Sequence, residues 1–142
     1  MEKTIIGRKE KIDLPEWNIK AINAKIDTGA YNCSIHATNV KEVLKDDKKS
    51  LEVILLDPED ERYTGKIIFI NNYKTKKVKN SFGQIEKRYF IKTMISLGGQ
   101  QFMAGFTLSD RGKMKNNVLL GRKILTGRFL VDVEKVNLTK TE

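Results

Sequence analysis

The chain has 142 residues, 39% of them hydrophobic, and its 27 Lys and Arg against 18 Asp and Glu give a net charge of +9. This composition is typical of one globular domain with a single core. No run of residues approaches the roughly 18 consecutive apolar residues that a membrane span needs, so a span is excluded. The N-terminus lacks the layout of a secretory signal and a single cysteine excludes an internal disulfide, so the sequence predicts one cytoplasmic domain over residues 1–142.

Short segments rich in Val, Ile, Leu, Phe and Tyr recur between polar turns, a pattern typical of β-strands. Gly98 and Gly99 separate two of these segments and supply the positive φ of a tight turn, so the strands on either side are predicted to pair antiparallel. The fold class predicted from this pattern is mainly β. The predicted strands are 4–7, 21–26, 51–56, 66–70, 88–96, 101–108 and 129–133.

Helix is predicted at only two places. Residues 39–45 have the composition of a helix of one or two turns, and residues 121–127 hold a short apolar pair between glycines that is typical of a brief helix ending at Gly127. Neither would be stable alone, because isolated helices below about 12 residues are marginal in water. The last residues, 137–142, are predicted to fray.

Residues 73–87 are polar and basic, which predicts a long hairpin between the strands near 67–70 and 89–91. A connection of this length in a compact domain is often a lid. Its lysines are interpreted first as a solvated surface, since charge runs usually mark solvent-facing segments. The tip of the hairpin is predicted at Asn80, Ser81, Phe82 and Gly83.

An acid follows directly after an apolar strand at Asp27, within the segment Ala24-Lys25-Ile26-Asp27-Thr28-Gly29-Ala30. A carboxylate at a strand end can point into a cleft, and the following glycine permits close approach of another backbone. Asp, Thr and Gly are also common turn residues, so an ordinary β-turn is the alternative explanation of this triplet.

A second segment lies about 90 residues later, where Leu119 and Leu120 precede Gly121 and Arg122 and run into the short helix. With both segments in view, the sequence resembles the retropepsin family, in which an apolar strand ending in Asp-Thr-Gly-Ala passes beside a later apolar-apolar-Gly strand. The two segments at this separation are more specific than either one alone.

The resemblance is closer to a bacterial and archaeal branch of retropepsin-like proteins, often catalogued as "ATP-dependent zinc protease" and encoded beside a ligase that adds glutamates to a ribosomal protein. It implies a closed β-barrel with one short C-terminal helix and a flap at residues 73–87. It also implies that Asp27 is the catalytic acid, supported by its loop neighbours Thr28, Gly29 and Ala30. The resemblance extends over residues 6–10, 14–15, 24–30, 34–37, 88–91, 97–99, 108–111 with Met114, 119–122 and 127–132.

The chain departs from viral retropepsins at one position. Those proteins place an Asp directly after Asp-Thr-Gly-Ala, where it pairs with the Arg of the Gly-Arg motif, but this chain has Tyr31 there. Arg122 therefore needs another partner, and the sequence offers Asp110 or Asp132.

A single Asp-Thr-Gly motif predicts a homodimer. Hydrolysis of a peptide bond by this route needs two carboxylates, one ionised to take a proton from water and one protonated to bind the substrate carbonyl. Two such groups in contact share one proton, because like charges cannot both ionise there. The second Asp27 must come from a second copy of the chain across a two-fold axis.

Catalytic zinc usually has three protein ligands, and the chain has one His and one Cys with no His-Glu-x-x-His motif, so no metal or other cofactor is predicted. Cys33 and His36 lie three residues apart, but packing is favoured over a thiol nucleophile with its base. No glycine-rich phosphate loop is present, so the sequence gives no support for ATP hydrolysis.

The charge of the chain predicts anionic partners. The preferred expectation is an acidic, glutamate-rich peptide substrate drawn to the flap by Lys74, Lys76, Lys77 and Lys79, with Lys87 and Arg88 at its base. The alternative is a binding module of the same fold for an anionic partner such as RNA or a ribosomal surface, and a third possibility is an unrelated β-domain in which Asp27 only shapes a turn.

Overall fold

The computed structural model describes residues 2–79, 82–109 and 116–139. Several residues named above lie outside these ranges: Asn80 and Ser81 of the predicted flap tip, and Asp110, Arg111 and Met114. The strands are β1 Thr4–Gly7, β2 Lys9–Leu14, β3 Ile19–Ile26, β4 Cys33–Lys45, β5 Lys48–Leu55, β6 Ile68–Ile70, β7 Lys74–Lys79, β8 Ile85–Leu97, β9 Gln100–Ser109, β10 Val118–Leu120 and β11 Phe129–Asp132. A short 3-10 helix covers Pro15–Trp17, and α1 covers Arg122–Leu125.

The main sheet closes on itself. Its strands follow the order β10-β3-β2-β8-β9-β4, and β10 pairs with β4 as well as with β3, which completes a ring of hydrogen-bonded strands. β5 and β6 extend the sheet beyond β4, while β1 and β11 form a separate parallel pair. The closed mainly-β barrel expected from the sequence is therefore confirmed.

Alternation of side chains along each strand places the core inside this ring. In β2 the side chains of Glu10, Ile12 and Leu14 are buried while the residues between them are only partly covered. In β3, Ile22 and Ala24 point inward in the same way. One cluster of buried side chains results, with contributions from every strand of the ring.

The hairpin predicted at Gly98 and Gly99 is confirmed. Both glycines have positive φ, at 58° and 79°, and β8 pairs antiparallel with β9 from Tyr89 to Leu97. The brief helix predicted near residue 122 is also confirmed as α1, which ends before Gly127 with a φ of 84°.

The helix predicted over residues 39–45 is wrong. These residues form the second half of β4 and pair antiparallel with β5, from Asn39 opposite Ile54 to Lys45 opposite Lys48. Asp46 and Asp47 form the connecting turn with φ of 51° and 64°, which is the geometry of a tight hairpin turn. The turn and its cross-strand pairs outweigh a helix propensity that is weak in so short a segment.

The long hairpin predicted over residues 73–87 is present, with a different neighbour from the one expected. β7 pairs with the first part of β8, from Lys74 opposite Phe90 to Lys79 opposite Ile85. β6 pairs with β5 instead and takes no part in this hairpin. At its tip the described residue Phe82 is 87% exposed.

The prediction that the chain frays from residue 137 is wrong for residues 137–139. The backbone N–H of Asn137 donates to the carbonyl oxygen of Lys9 at 2.8 Å. The buried carboxylate of Glu10 accepts hydrogen bonds from Leu138 N at 2.9 Å, Thr139 N at 3.0 Å and the Thr139 hydroxyl at 2.7 Å, and from Gly7 N at 2.7 Å. A single buried acid thus ties the C-terminal segment to β2. No helix in the described ranges has the length and apolar character that crossing a membrane requires.

Candidate active site

Asp27 stands where β3 leaves the barrel. β10 runs parallel to β3 in the register Val118 to Ala24 and Leu120 to Ile26. The N–H of Asp27 then continues the ladder by donating to the Leu120 carbonyl at 2.9 Å. The apolar-apolar-Gly strand predicted to lie beside the acid does lie there, and it fixes the point at which the Asp27 side chain leaves the sheet.

The loop after Asp27 holds its carboxylate in one orientation. Gly29 N donates to Asp27 Oδ1 at 2.9 Å, and Ala30 N donates to the Asp27 carbonyl at 3.2 Å. The triplet is therefore a turn, as the simpler explanation predicted, and this turn fixes an acid at the edge of a cavity. Thr28 at its apex is exposed.

Gly121 allows the second loop to approach the first. A Cβ atom at this position would lie 2.5 to 2.8 Å from the carbonyl oxygens of Asn32, Tyr31 and Ala30. Arg122 N and Lys123 N then donate to the carbonyls of Ala30 and Tyr31 at 2.8 and 3.0 Å. Any larger residue would push these backbones apart.

Among the described residues, the hydrogen-bond partner of Arg122 is a backbone carbonyl and not Asp132. Its Nη1 donates to the Thr28 carbonyl at 2.9 Å, and its guanidinium carbon lies 6.0 Å from the centre of the Tyr31 ring. Asp132 instead accepts a hydrogen bond from Glu134 N, and Asp110 lies outside the described residues. Arg122 thus supports the Asp27 loop through a backbone carbonyl and an aromatic face.

Cys33 and His36 both lie on β4 beneath this loop and are buried. The Cys33 sulfur accepts a hydrogen bond from Gly121 N at 3.3 Å, and burial raises the pKa of the Cys33 thiol. A thiol with a raised pKa stays protonated and is a poor nucleophile. This geometry agrees with the packing role predicted for Cys33.

Asp27 lines a cavity of about 430 Å³ that sequence reasoning did not identify. Lys25 precedes the acid by two residues, and Lys9 lies opposite Lys25 across the β2–β3 ladder. The Lys25 position could have been noticed from the sequence spacing, whereas Lys9 is brought in only by the strand register. The described lining residues are Lys9, Lys25, Asp27, Ser34, His36, Ser109, Asn116, Asn117, Val118 and Leu119.

The flap lysines do not form one surface. Because side chains alternate along a strand, Lys74 and Lys76 lie on one face of β7 and Lys77 and Lys79 on the other. Lys76 turns toward the barrel, with its Nζ 3.9 Å from the centre of the Phe90 ring.

The base of the flap hairpin is attached to β4 through Glu42. Its carboxylate accepts hydrogen bonds from the Tyr73 hydroxyl at 2.9 Å and the Tyr89 hydroxyl at 3.1 Å, which together lower the pKa of Glu42. The two tyrosine rings meet edge to face at 5.9 Å. These contacts connect the flap to the long β4–β5 hairpin.

Within residues 2–79, 82–109 and 116–139, no three His, Cys, Asp or Glu side chains are grouped as a metal site would require.

The chain is similar in sequence and in fold to known proteins. The chain is 35% identical over 133 residues to a "Probable alpha-L-glutamate ligase" from Shewanella halifaxensis and 31% identical over 132 residues to one from Parasynechococcus marenigrum. These matches cover 92% and 93% of this chain, which itself spans only 28% of the length of each relative. A crystal structure of a Legionella pneumophila protein of unknown function shares the fold, with a TM-score of 0.65, 24% identity, and coverage of 98% of this chain and 100% of the other.

A family model described as "Retropepsin-like aspartic endopeptidase RimB" matches residues 5–142. That range contains the Asp27 loop, the β10 strand beside it and the whole closed barrel. The chain therefore belongs to the RimB-like family of retropepsin-like aspartic endopeptidases.

Proposed function

We propose that this protein is an aspartic endopeptidase that works as a two-fold homodimer, with one Asp27 from each subunit. The observation that carries the proposal is the position of the Asp27 carboxylate, held by Gly29 N at the rim of a cavity. The chain supplies one Asp-Thr-Gly motif, and this chemistry needs two carboxylates.

In the proposed dimer the two Asp27 carboxylates share one proton across a water molecule. The ionised carboxylate takes a proton from the water as its oxygen attacks the peptide carbonyl, and the protonated one donates a hydrogen bond to that carbonyl. The proton passes to the leaving amine as the C–N bond breaks. Each loop keeps its Asp27 in place through Gly29 N, so that little reorganisation is needed when the two acids meet.

Two exposed features support pairing. Thr28 is exposed at the apex of the Asp27 loop, where its hydroxyl can bond across a two-fold axis. Ile5 on β1 and Leu130 on β11 lie opposite each other and are 55% and 52% exposed. A second copy of the chain that covered these two side chains would remove apolar surface from water.

Mixing subunits tests the proposal. Wild-type protein is allowed to exchange with an equal amount of Asp27→Asn, and peptidase activity is followed together with the sedimentation coefficient. If both acids are required, only about one quarter of the dimers keep two Asp27 side chains, and activity per wild-type subunit falls by half. The dimer would be contradicted if activity stayed proportional to the number of wild-type subunits. It would also be contradicted if the protein sedimented only as a monomer at high concentration, with and without peptide.

The proposed substrate is an acidic, glutamate-rich peptide. Lys9 and Lys25 line the cavity beside Asp27 and carry positive charge to the reacting centre. The relatives are named as probable alpha-L-glutamate ligases, and they are longer proteins of which this chain matches 28%. Their names support a substrate that contains glutamate. Attraction by the flap lysines Lys74, Lys76, Lys77 and Lys79 stays a prediction.

Charge replacement separates these contributions. We expect Lys9→Gln combined with Lys25→Gln to lower kcat/KM for a glutamate-rich peptide about twofold to tenfold, since exposed charges contribute little individually, and to leave a neutral peptide unaffected. A second variant replaces the four flap lysines by Gln. The control is Lys48→Gln, at the start of β5 and outside the cavity lining. The difference in kcat/KM between the acidic and the neutral peptide should become smaller as salt is added. Equal rates for both peptides in every variant and at every salt concentration would exclude an acidic substrate.

A further inference from the structure

A second concave surface lies on the outside of the barrel and is here called the outer groove. It has a volume of about 520 Å³ and shares no described residue with the cavity at Asp27. It runs from the 3-10 helix across the segment between β6 and β7 to strands β8 and β9. Its described lining residues are Glu16, Trp17, Phe69, Ile70, Asn71, Asn72, Tyr73, Lys74, Phe90, Ile91, Lys92 and Met103.

Aromatic rings are spaced along the outer groove. Trp17 and Tyr73 are partly exposed, and Phe69 is 41% exposed. At one end Lys45 lies over the Phe69 ring, with its Nζ 3.7 Å from the ring centre. Partly exposed rings beside an open channel offer flat apolar faces to a ligand.

Lysines converge on the other end of the outer groove around Phe90. The Nζ atoms of Lys76 and Lys123 lie 3.9 and 5.8 Å from the Phe90 ring centre. The ring occupies the space above Gly105, where a Cβ atom would lie 2.2 Å from the Phe90 Cζ. The absence of a side chain on Gly105 therefore leaves room for the Phe90 ring beside β9, where Lys76 and Lys123 lie over it.

The positive charges at this end repel one another. Burial lowers the pKa of Lys76, and the charges of Lys123, Lys74 and Lys92 lower it further. In the part of the chain that the structure describes, the ion pairs use Lys41, Arg62 and Arg88, so no carboxylate lies within ion-pair distance of Lys74, Lys76, Lys92 or Lys123. Glu16 lines the groove, and its carboxylate accepts a hydrogen bond from Met94 N at 3.3 Å. An anionic ligand would relieve this repulsion.

We propose that the outer groove binds single-stranded nucleic acid, with phosphates along Lys74, Lys76, Lys92 and Lys123 and bases against Trp17, Phe69 and Tyr73. Single-stranded nucleic acids are bound where a basic channel follows the backbone and aromatic rings receive the bases. An acidic peptide would use the lysines but would gain little from the rings. The combination of both therefore favours nucleic acid over an acidic peptide as the partner.

The proposal is tested by fluorescence anisotropy with labelled oligouridylate and oligothymidylate of about 12 nucleotides, within the length that small binding sites cover. The protein is the Asp27→Asn variant, so that a glutamate peptide of equal charge can be compared without being cleaved. We expect Lys74→Gln with Lys92→Gln to weaken oligonucleotide binding at least fivefold. The slope of log K against log salt should fall by about 1.4, since each phosphate contact on a single strand contributes about 0.7. The two oligonucleotides show whether the site distinguishes RNA from DNA.

Matched variants make the result specific to this surface. Lys77→Gln with Lys79→Gln removes the same charge from the opposite face of β7, and we expect it to keep at least half of the binding affinity. Phe69→Leu should weaken binding at least fivefold through lost stacking, whereas Phe82→Leu at the flap tip should not. The proposal would be overturned if the two lysine pairs lost affinity equally or if Phe69→Leu had no effect. It would also be overturned if a glutamate peptide bound the groove as tightly, or if neither oligonucleotide bound.

Discussion

Replacing Asp27 by Asn is expected to abolish peptidase activity, with a loss of at least about 100-fold to 10,000-fold, the range attributed to a positioned general acid or base. Asn keeps the shape of the side chain and can still accept the hydrogen bond from Gly29 N. It cannot ionise, so it cannot take the proton from water. The measurement is the initial rate of peptide cleavage at several pH values, with the melting temperature as a check that the fold is kept.

Asp47→Asn is the matched control, because Asp47 is an exposed residue of the β4–β5 turn with a φ of 64°, a conformation that Asn adopts readily. It should keep the wild-type rate. Chelators are also expected to leave the wild-type rate unchanged. Full activity in Asp27→Asn, or a chelator-inhibited enzyme that zinc restores, would show that the aspartic mechanism is wrong.

Replacing Glu10 by Gln is expected to cost about 3 kcal/mol in the free energy of unfolding at pH 7. The Glu10 carboxylate is buried and accepts four hydrogen bonds, three of them from Leu138 and Thr139. A Gln amide nitrogen would face these donors with a donor of its own, and each hydrogen bond to a charged group contributes about 1.5 to 3 kcal/mol. The measurement is urea unfolding of the whole chain.

This contribution should depend on pH in a defined direction. Burial alone raises the pKa of Glu10, but the hydrogen bonds from Gly7, Thr139 and Leu138 outweigh it, and the pKa in the folded protein lies below the ordinary value of 4.5. The carboxylate therefore stabilises the fold fully above pH 4.5, and this stabilisation is lost as the pH falls toward the lowered pKa. The difference in the free energy of unfolding between wild type and Glu10→Gln should therefore disappear in acid. Glu134→Gln, an exposed control, should unfold with the same free energy as wild type. If the difference between wild type and Glu10→Gln stayed unchanged in acid, this role for Glu10 would be excluded.

Much of the scaffold could be predicted because it depends on local chemistry. Gly98 and Gly99 determine a turn by their conformational freedom, and the alternation of apolar residues identifies the strands on either side. The sequence also predicted Asp27 at a strand end and an apolar strand before Gly121. In both places apolar residues are followed directly by turn-forming residues, and this local change marks the end of the strand.

The errors arose where the local signal was ambiguous. Val40, Val43 and Leu44 have the spacing of one helical face as well as a place in a strand, and only pairing with β5 through the Asp46–Asp47 turn decides between the two. The tail from residue 137 looked free because nothing in its own composition holds it. Its anchor, Glu10, lies more than 120 residues away in the chain.

The chain by itself determined a mainly-β domain with one acid of retropepsin type and a strong positive charge. Tertiary structure decided the surroundings of that acid and the location of the charge. The register of β2 against β3 brings Lys9 to the cavity of Asp27, and the alternation of β7 divides the flap lysines between two faces. Gly105 leaves room for the Phe90 ring, and Lys76 from β7 and Lys123 from α1 meet over that ring. Such groupings depend on contacts between residues far apart in sequence, so they form only when the barrel closes.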